Sequence, residues 1–248
     1  MQGQDNIKRL DMWAIVPIKT FESAKQRLAD VLSPEERRGL MLAMARDVLT
    51  ALSRSKRLTG ILIVSRTHEA DALAQAFGTE RFSESPDADL AAALTQASEY
   101  LVEHLHAQGI MIVPADVPLI HEAEIDAVLT EHTEITVLPD DEHVGTNGLV
   151  CTPPGLIPLL FDGRSFKPHV EAAFAAGVVP RIVPSSGFAL DIDTPADLRA
   201  LLAREPASQT GVYLARAGIA ARIATSSGPP GADHRLAECA ATSCMRKV

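Results

Sequence analysis

Apolar and polar positions along the chain change period in a regular order. Residues 13–18, WAIVPI, form a short apolar run closing beside a proline, the pattern of a buried strand. Ser33-Pro34-Glu35-Glu36 then predicts a helix start, with Ser33 as cap, Pro34 in the first turn and Glu36 completing a capping box. Leu40, Ala43, Met44 and Val48 continue it at helical spacing. GILIV, Gly60–Val64, reads as a second strand, followed by a helix over about 69–77. Leu90, Leu94, Ala97, Leu101 and Leu105 recur at helical spacing and predict a long helix over 88–107, ended by Gly109. A strand over 110–113, a helix over 123–129 and strands over 135–138 and 148–152 follow, then a helix over 167–176 and a strand over 178–183. Thr194 caps a further helix through about Ala203, with Pro195 at its first position.

Strands alternating with helices imply an α/β fold: a mostly parallel sheet with helices on both faces. Ligands of such sheets bind outside the carboxyl ends of the strands. Residues 1–225 are expected to form a single domain. Residues 226–248, beginning SSGPPGADHR, are rich in Ser, Gly and Pro and read as a disordered tail.

Composition narrows the function. The 248 residues are 46% apolar, which suits a globular core, and carry a net charge of −9 with 4% aromatics. Negative charge and few stacking rings argue against nucleic acid as partner. The three cysteines are too scattered for a disulfide framework or a metal cage. The first residues lack the apolar core of a signal peptide, and no apolar run approaches the roughly 20 residues that span a bilayer. A soluble, cytoplasmic protein with no membrane partner is expected.

Candidate chemistry lies at predicted strand ends. Asp116, in Pro114-Ala115-Asp116-Val117-Pro118, follows one strand, and Asp191 and Asp193, in Asp191-Ile192-Asp193-Thr194-Pro195, lie between a strand and a helix. Asp191 and Asp193 are expected to need a turn to reach one ion. Carboxylates from two strand ends suit magnesium, which takes oxygen ligands; plain helix capping is the alternative for the second segment. Lys19, Lys25 and Arg27, after the first strand, offer positive charge for a triphosphate, or are simply solvated. No P-loop pattern is present. Gly145-Thr146-Asn147-Gly148 and the later Phe161-Asp162-Gly163-Arg164-Ser165-Phe166 suggest an anion site at a helix start, with an ordinary cap at Ser165 as the alternative. His169 nearby reads as a structural hydrogen-bonding residue.

In this order, Val16-Pro17-Ile18-Lys19, Ala24-Lys25-Gln26-Arg27-Leu28, the Asp116 segment, Gly145-Thr146-Asn147, Ser165-Phe166 with His169, and the Asp191 to Pro195 segment resemble the 2-phospho-L-lactate guanylyltransferase family. Its relatives use phosphoenolpyruvate or 3-phospho-D-glycerate and serve biosynthesis of the deazaflavin coenzyme F-420. The resemblance covers about residues 12–204. It implies a Rossmann-like, nucleotide-diphospho-sugar transferase-like fold, GTP as donor and Mg2+ at Asp116, Asp191 and Asp193. It further implies a three-carbon acid site at Thr146, Gly163 and Ser165, and a homodimer as relatives suggest. Two positions depart from the family pattern. Phe161-Asp162 stands where Phe-Gly is usual, displacing the glycine to Gly163, and Asp89-Leu90-Ala91 stands where Gly-Leu-Asn is usual.

The expected reaction is attack by an acid's phosphate oxygen on the α-phosphorus of GTP, with pyrophosphate leaving and Lys19, Lys25 and Arg27 steadying it. The site is therefore expected to be locally positive. Rival readings are a molybdopterin guanylyltransferase-like enzyme or sugar-nucleotide pyrophosphorylase, a glycosyltransferase, and a non-catalytic nucleotide-binding domain.

Overall fold

The computed structural model describes residues 10–18, 25–204 and 207–225. The expectations placed on Lys19 and on the 226–248 tail lie outside the described residues.

The strands are β1 (Met12–Pro17), β2 (Gly60–Val64), β3 (Glu80–Phe82), β4 (Gly109–Ile112), β5 (Ile135–Pro139), β6 (Thr146–Cys151) and β7 (Arg181–Ile182). They form one sheet in the order β3-β2-β1-β4-β6-β5-β7. Pairing is parallel except at β6, which runs antiparallel to both β4 and β5. The helices are α1 (Pro34–Arg54), α2 (His68–Phe77), α3 (Leu90–Leu105), α4 (Glu122–Thr130), α5 (Phe166–Ala175), α6 (Pro195–Ala203), α7 (Gln209–Arg216) and α8 (Ile219–Thr225).

The central strands are apolar on both faces because both are covered. On β1, Ala14 and Val16 enter one core while Ile15 enters the other; on β4, Met111 faces the first and Ile110 and Ile112 the second. The first core is closed by α1, α2, α4, α6, α7 and α8, the second by α3 and α5. The predicted capping box at Ser33 and Glu36 is formed, as is one at Thr194 and Asp197. Among the described residues no helix is long and apolar enough to cross a membrane.

Several elements differ from the pattern-based expectation. Helix α3 stops at Leu105, with His106 in the left-handed region (φ 55) donating its N–H to the Leu101 carbonyl; Gly109 belongs to β4 instead of ending the helix. The strand expected over 178–183 is reduced to Arg181–Ile182 at the sheet edge. β3, α7 and α8 were not anticipated. Helix α7 depends on a distant residue: Asp47 of α1 accepts hydrogen bonds from the Gln209 and Thr210 N–H groups and the Thr210 hydroxyl. Gly39 of α1 is where Tyr213 packs, since a Cβ there would overlap the tyrosine ring.

The strand that shapes the ligand-binding edge is β6. Because it is reversed, its first residues, Thr146 and Asn147, arrive at the edge where β1, β4 and β5 end. A mostly parallel sheet thereby gains side chains from a strand start at the edge where its ligands bind.

Candidate active site

A cavity of about 1050 Å³ opens at this edge, lined by the ends of β1, β4 and β5, the start of β6 and the segments leading into α5 and α6. Asp116, Asp191, Asp193, Lys25, Arg27, Thr146, Gly163 and Ser165 all line it. Every described residue proposed from sequence therefore reaches one cleft.

The two aspartate segments meet through backbone. Ile192 donates its N–H to the Asp116 carbonyl at 3.1 Å. Ile192 is fully buried in the first core, so alternation along this extended segment sends Asp191 and Asp193 to the cavity together. No turn is needed, contrary to expectation, because residues two apart share a face.

Lys25 closes this cluster. Its ammonium lies 2.7 Å from Asp116 Oδ2 and 2.6 Å from Asp193 Oδ1, with only 6% of its side chain exposed. Burial alone would lower its pKa, but the two carboxylates outweigh that and hold it above the usual lysine range. The backbone at Lys25 is left-handed (φ 54), a conformation that is costly for a non-glycine residue. Arg27 sits at the rim, 75% exposed and 3.9 Å from Asp193. Asp191 is held separately: Asn147 Nδ2 donates to its Oδ1 at 3.2 Å and to the Phe188 carbonyl at 2.8 Å. Burial, then the nearby charge of Asp116, raises the Asp191 pKa despite that donor.

On the opposite face of β6, Thr146 meets the start of α5. Ser165 Oγ accepts the Thr146 N–H at 3.1 Å, and His169 Nδ1 lies 3.0 Å from Thr146 Oγ1. Ser165 occupies the cap position of α5 but makes no side-chain cap bond, so the plain capping alternative does not describe its hydroxyl. Gly163 has φ +86, a conformation that favours glycine, which accounts for the glycine standing at 163 beside Asp162.

The cleft is not locally positive as expected. Among its described lining residues Asp116, Asp140, Asp141, Glu142, Asp162, Asp191, Asp193 and Asp197 stand against Lys25 and Arg27. Part of this acidity is structural: Asp140 accepts the Val144 and Gly145 N–H groups, and Asp197 closes the α6 capping box. An anionic ligand would enter such a cleft only with cations.

Hard carboxylate oxygens are the donor set magnesium takes, and Asp116 and Asp193 already share one cation, the Lys25 ammonium. Among the described residues no group of three or more His, Cys, Asp or Glu is gathered tightly enough to hold a metal as it stands. The donor chemistry fits; Lys25 stands between two of the donors. The residue that sequence reasoning left without a role is Asn147, whose only signal was its place in the Gly145-Thr146-Asn147 run.

A carboxylate cluster and a buried lysine stand at the ligand edge of this sheet, solved structures share the fold, and the family and relatives given below make the protein a nucleotidyltransferase. A Desulfovibrio desulfuricans protein provisionally assigned as a nucleotide-diphospho-sugar transferase superposes with a TM-score of 0.69 at 18% identity, covering 86% of this chain and 98% of that one. The chain belongs to the guanylyl transferase family described as CofC like, whose model matches residues 12–230. It is 36% identical over 195 residues to the phosphoenolpyruvate guanylyltransferase of Rubrobacter xylanophilus, covering 77% of this chain and 94% of that one. It is 30% identical over 203 residues to the 2-phospho-L-lactate guanylyltransferase of Methanothermobacter thermautotrophicus, covering 81% and 88%.

Proposed function

We propose that the protein transfers GMP from GTP to the phosphate of a small three-carbon phospho-acid, releasing pyrophosphate, in biosynthesis of coenzyme F-420. The acceptor is 2-phospholactate, phosphoenolpyruvate or 3-phosphoglycerate. Residues 1–225 act as one catalytic domain in this reading. The observation that carries it is the division of one cleft by β6: Lys25 and the aspartates lie on the Asn147 side, and the Thr146 and Ser165 hydroxyls lie on the other. Family membership supplies the guanylyl group as the transferred unit.

The acceptor phosphate is already ionised near neutral pH, so no general base is required to create the nucleophile. Its oxygen forms a bond to the α-phosphorus while the bond from that phosphorus to the departing pyrophosphate breaks. Catalysis then rests on positioning and charge neutralisation. Asp116, Asp191 and Asp193 would hold Mg2+, which when bound supplies neutralising charge at the phosphates. Asn147 orients Asp191 for that role. Lys19, Lys25 and Arg27 bind the triphosphate, and Thr146, Gly163 and Ser165 bind the acid. The acidic lining supports a cation-dependent reaction, since the described basic residues alone do not balance the substrates.

The test is a matrix of four nucleoside triphosphates against the three acids, read as pyrophosphate release. Release with GTP and one of these acids is expected; release that ignores the acid, or none with any pair, overturns the assignment.

A further inference from the structure

His169 is fully buried one turn into α5 and both its ring nitrogens are engaged. The Leu160 N–H donates to Nε2 at 2.9 Å, so Nε2 must carry a lone pair. A neutral ring then carries its proton on Nδ1, which faces Thr146 Oγ1 at 3.0 Å. Burial keeps the ring neutral, with a pKa of about 4 against the opposing pull of Asp162. Phe161, a lining residue of the cavity, packs edge-on against the ring with centroids 4.9 Å apart.

The direction of every bond in this chain is therefore fixed. Leu160 donates to His169, and His169 donates to Thr146, whose oxygen is an acceptor there. The Thr146 N–H in turn donates to Ser165 Oγ. Each hydroxyl accepts from inside the protein, which leaves each O–H to donate. Both residues are buried but line the cavity, and an anion bound against them is the acceptor assigned below to both protons.

We propose that His169 is a positioning residue: held as the Nδ1–H tautomer by Leu160, it makes the Thr146 hydroxyl a donor, so that Thr146 and Ser165 present two O–H groups to the carboxylate of the acceptor acid. This rests on the acid site proposed above. The carboxylate end is assigned because the attacking phosphate must lie toward the aspartates, on the other side of β6. Were the opposite tautomer present, Thr146 would have to donate to the ring and would turn a lone pair toward the anion.

Two substitutions separate positioning from scaffold. In His169→Asn the amide can take the place of Nδ1–H toward Thr146 while losing the acceptor for Leu160. In His169→Gln the amide oxygen can still accept from Leu160 while the donor to Thr146 is lost. The expected result is a KM for the accepted acid raised roughly tenfold or more in His169→Gln, the weakening expected for a lost hydrogen bond to a charged group. The KM for GTP should be unchanged, and His169→Asn should recover much of the acid affinity, with melting curves showing both variants folded. The reverse ranking, or equal acid KM values in folded variants, overturns the proposal. Nitrogen-15 shifts of the His169 ring in the wild-type protein read the tautomer without any substrate; a protonated Nε2 at neutral pH also overturns it. Absence of turnover with all three acids would instead remove the acid-site reading, leaving the tautomer to be judged by the shifts alone.

Discussion

The ammonium of Lys25 lies 2.6 Å from the Asp193 carboxylate, although 168 positions separate the two residues in the chain. The same nitrogen contacts Asp116 at 2.7 Å. A positive charge thus already holds together two carboxylates proposed as metal ligands, and removing it changes the cleft in a defined direction. Lys25→Met removes the ammonium that lies between Asp116 and Asp193. Turnover should fall by at least about a hundredfold, because transition-state charge stabilisation is lost. Magnesium binding to the nucleotide-free protein should become tighter, because a cation that competes for two carboxylates is gone. Calorimetric titration with magnesium checks the second expectation, and unchanged or weaker binding would show that Lys25 does not compete for the carboxylates.

Asp116→Ala and Asp193→Ala should each reduce turnover by about a hundredfold or more with little loss of fold, because both side chains face the cavity. Excess chelator should abolish pyrophosphate release, and added magnesium should restore it. Full activity in chelator would remove the metal from the reaction.

Ser165→Ala has two expected effects. The Thr146 N–H loses its acceptor in a buried setting, which destabilises the fold by about 1–3 kcal/mol. The acid subsite loses one donor, which raises the KM for the acid roughly ten- to hundredfold while that for GTP stays near its original value. A lower melting temperature with unchanged acid KM would assign Ser165 to the scaffold alone.

Acid should weaken the fold through two histidines, His132, which is partly buried, and His169, which is fully buried. His132, between the Thr136 and Thr152 hydroxyls, and His169 each have a pKa pushed from 6.5 down to about 4, chiefly by burial. Between these values the unfolded chain binds more protons than the folded one, so stability rises with pH through this window and is lost as pH falls from 6.5 toward 4. Melting temperatures measured across that range should decline steadily. His132→Gln and His169→Gln should each flatten the decline, and a slope unaffected by both would point to other groups.

The sheet and its helices were largely legible in the sequence because their signals are local. The apolar runs of β1 and β4, the Ser33 capping box and the Thr194-Pro195 helix start are set by neighbours a few residues apart, and each appears where the pattern placed it. The order of the motifs also carried the family. What required the tertiary structure were relationships between distant segments. Helix α7 has a local cap in Ser208, but two of its first N–H groups are accepted by Asp47, a residue of α1 that no pattern near 209 could announce. The convergence of Asp116 with Asp191 and Asp193 depends on the Ile192 to Asp116 backbone bond and on the burial of Ile192. The direction of β6 was likewise invisible, because an apolar run reads the same whichever way its neighbours lie; only the reversal brings Thr146 and Asn147 to the ligand edge. Sequence determined which residue types were available for the chemistry. The fold decided which carboxylates share a cation and which way the hydroxyl protons point, because both depend on partners fixed by packing and not by spacing.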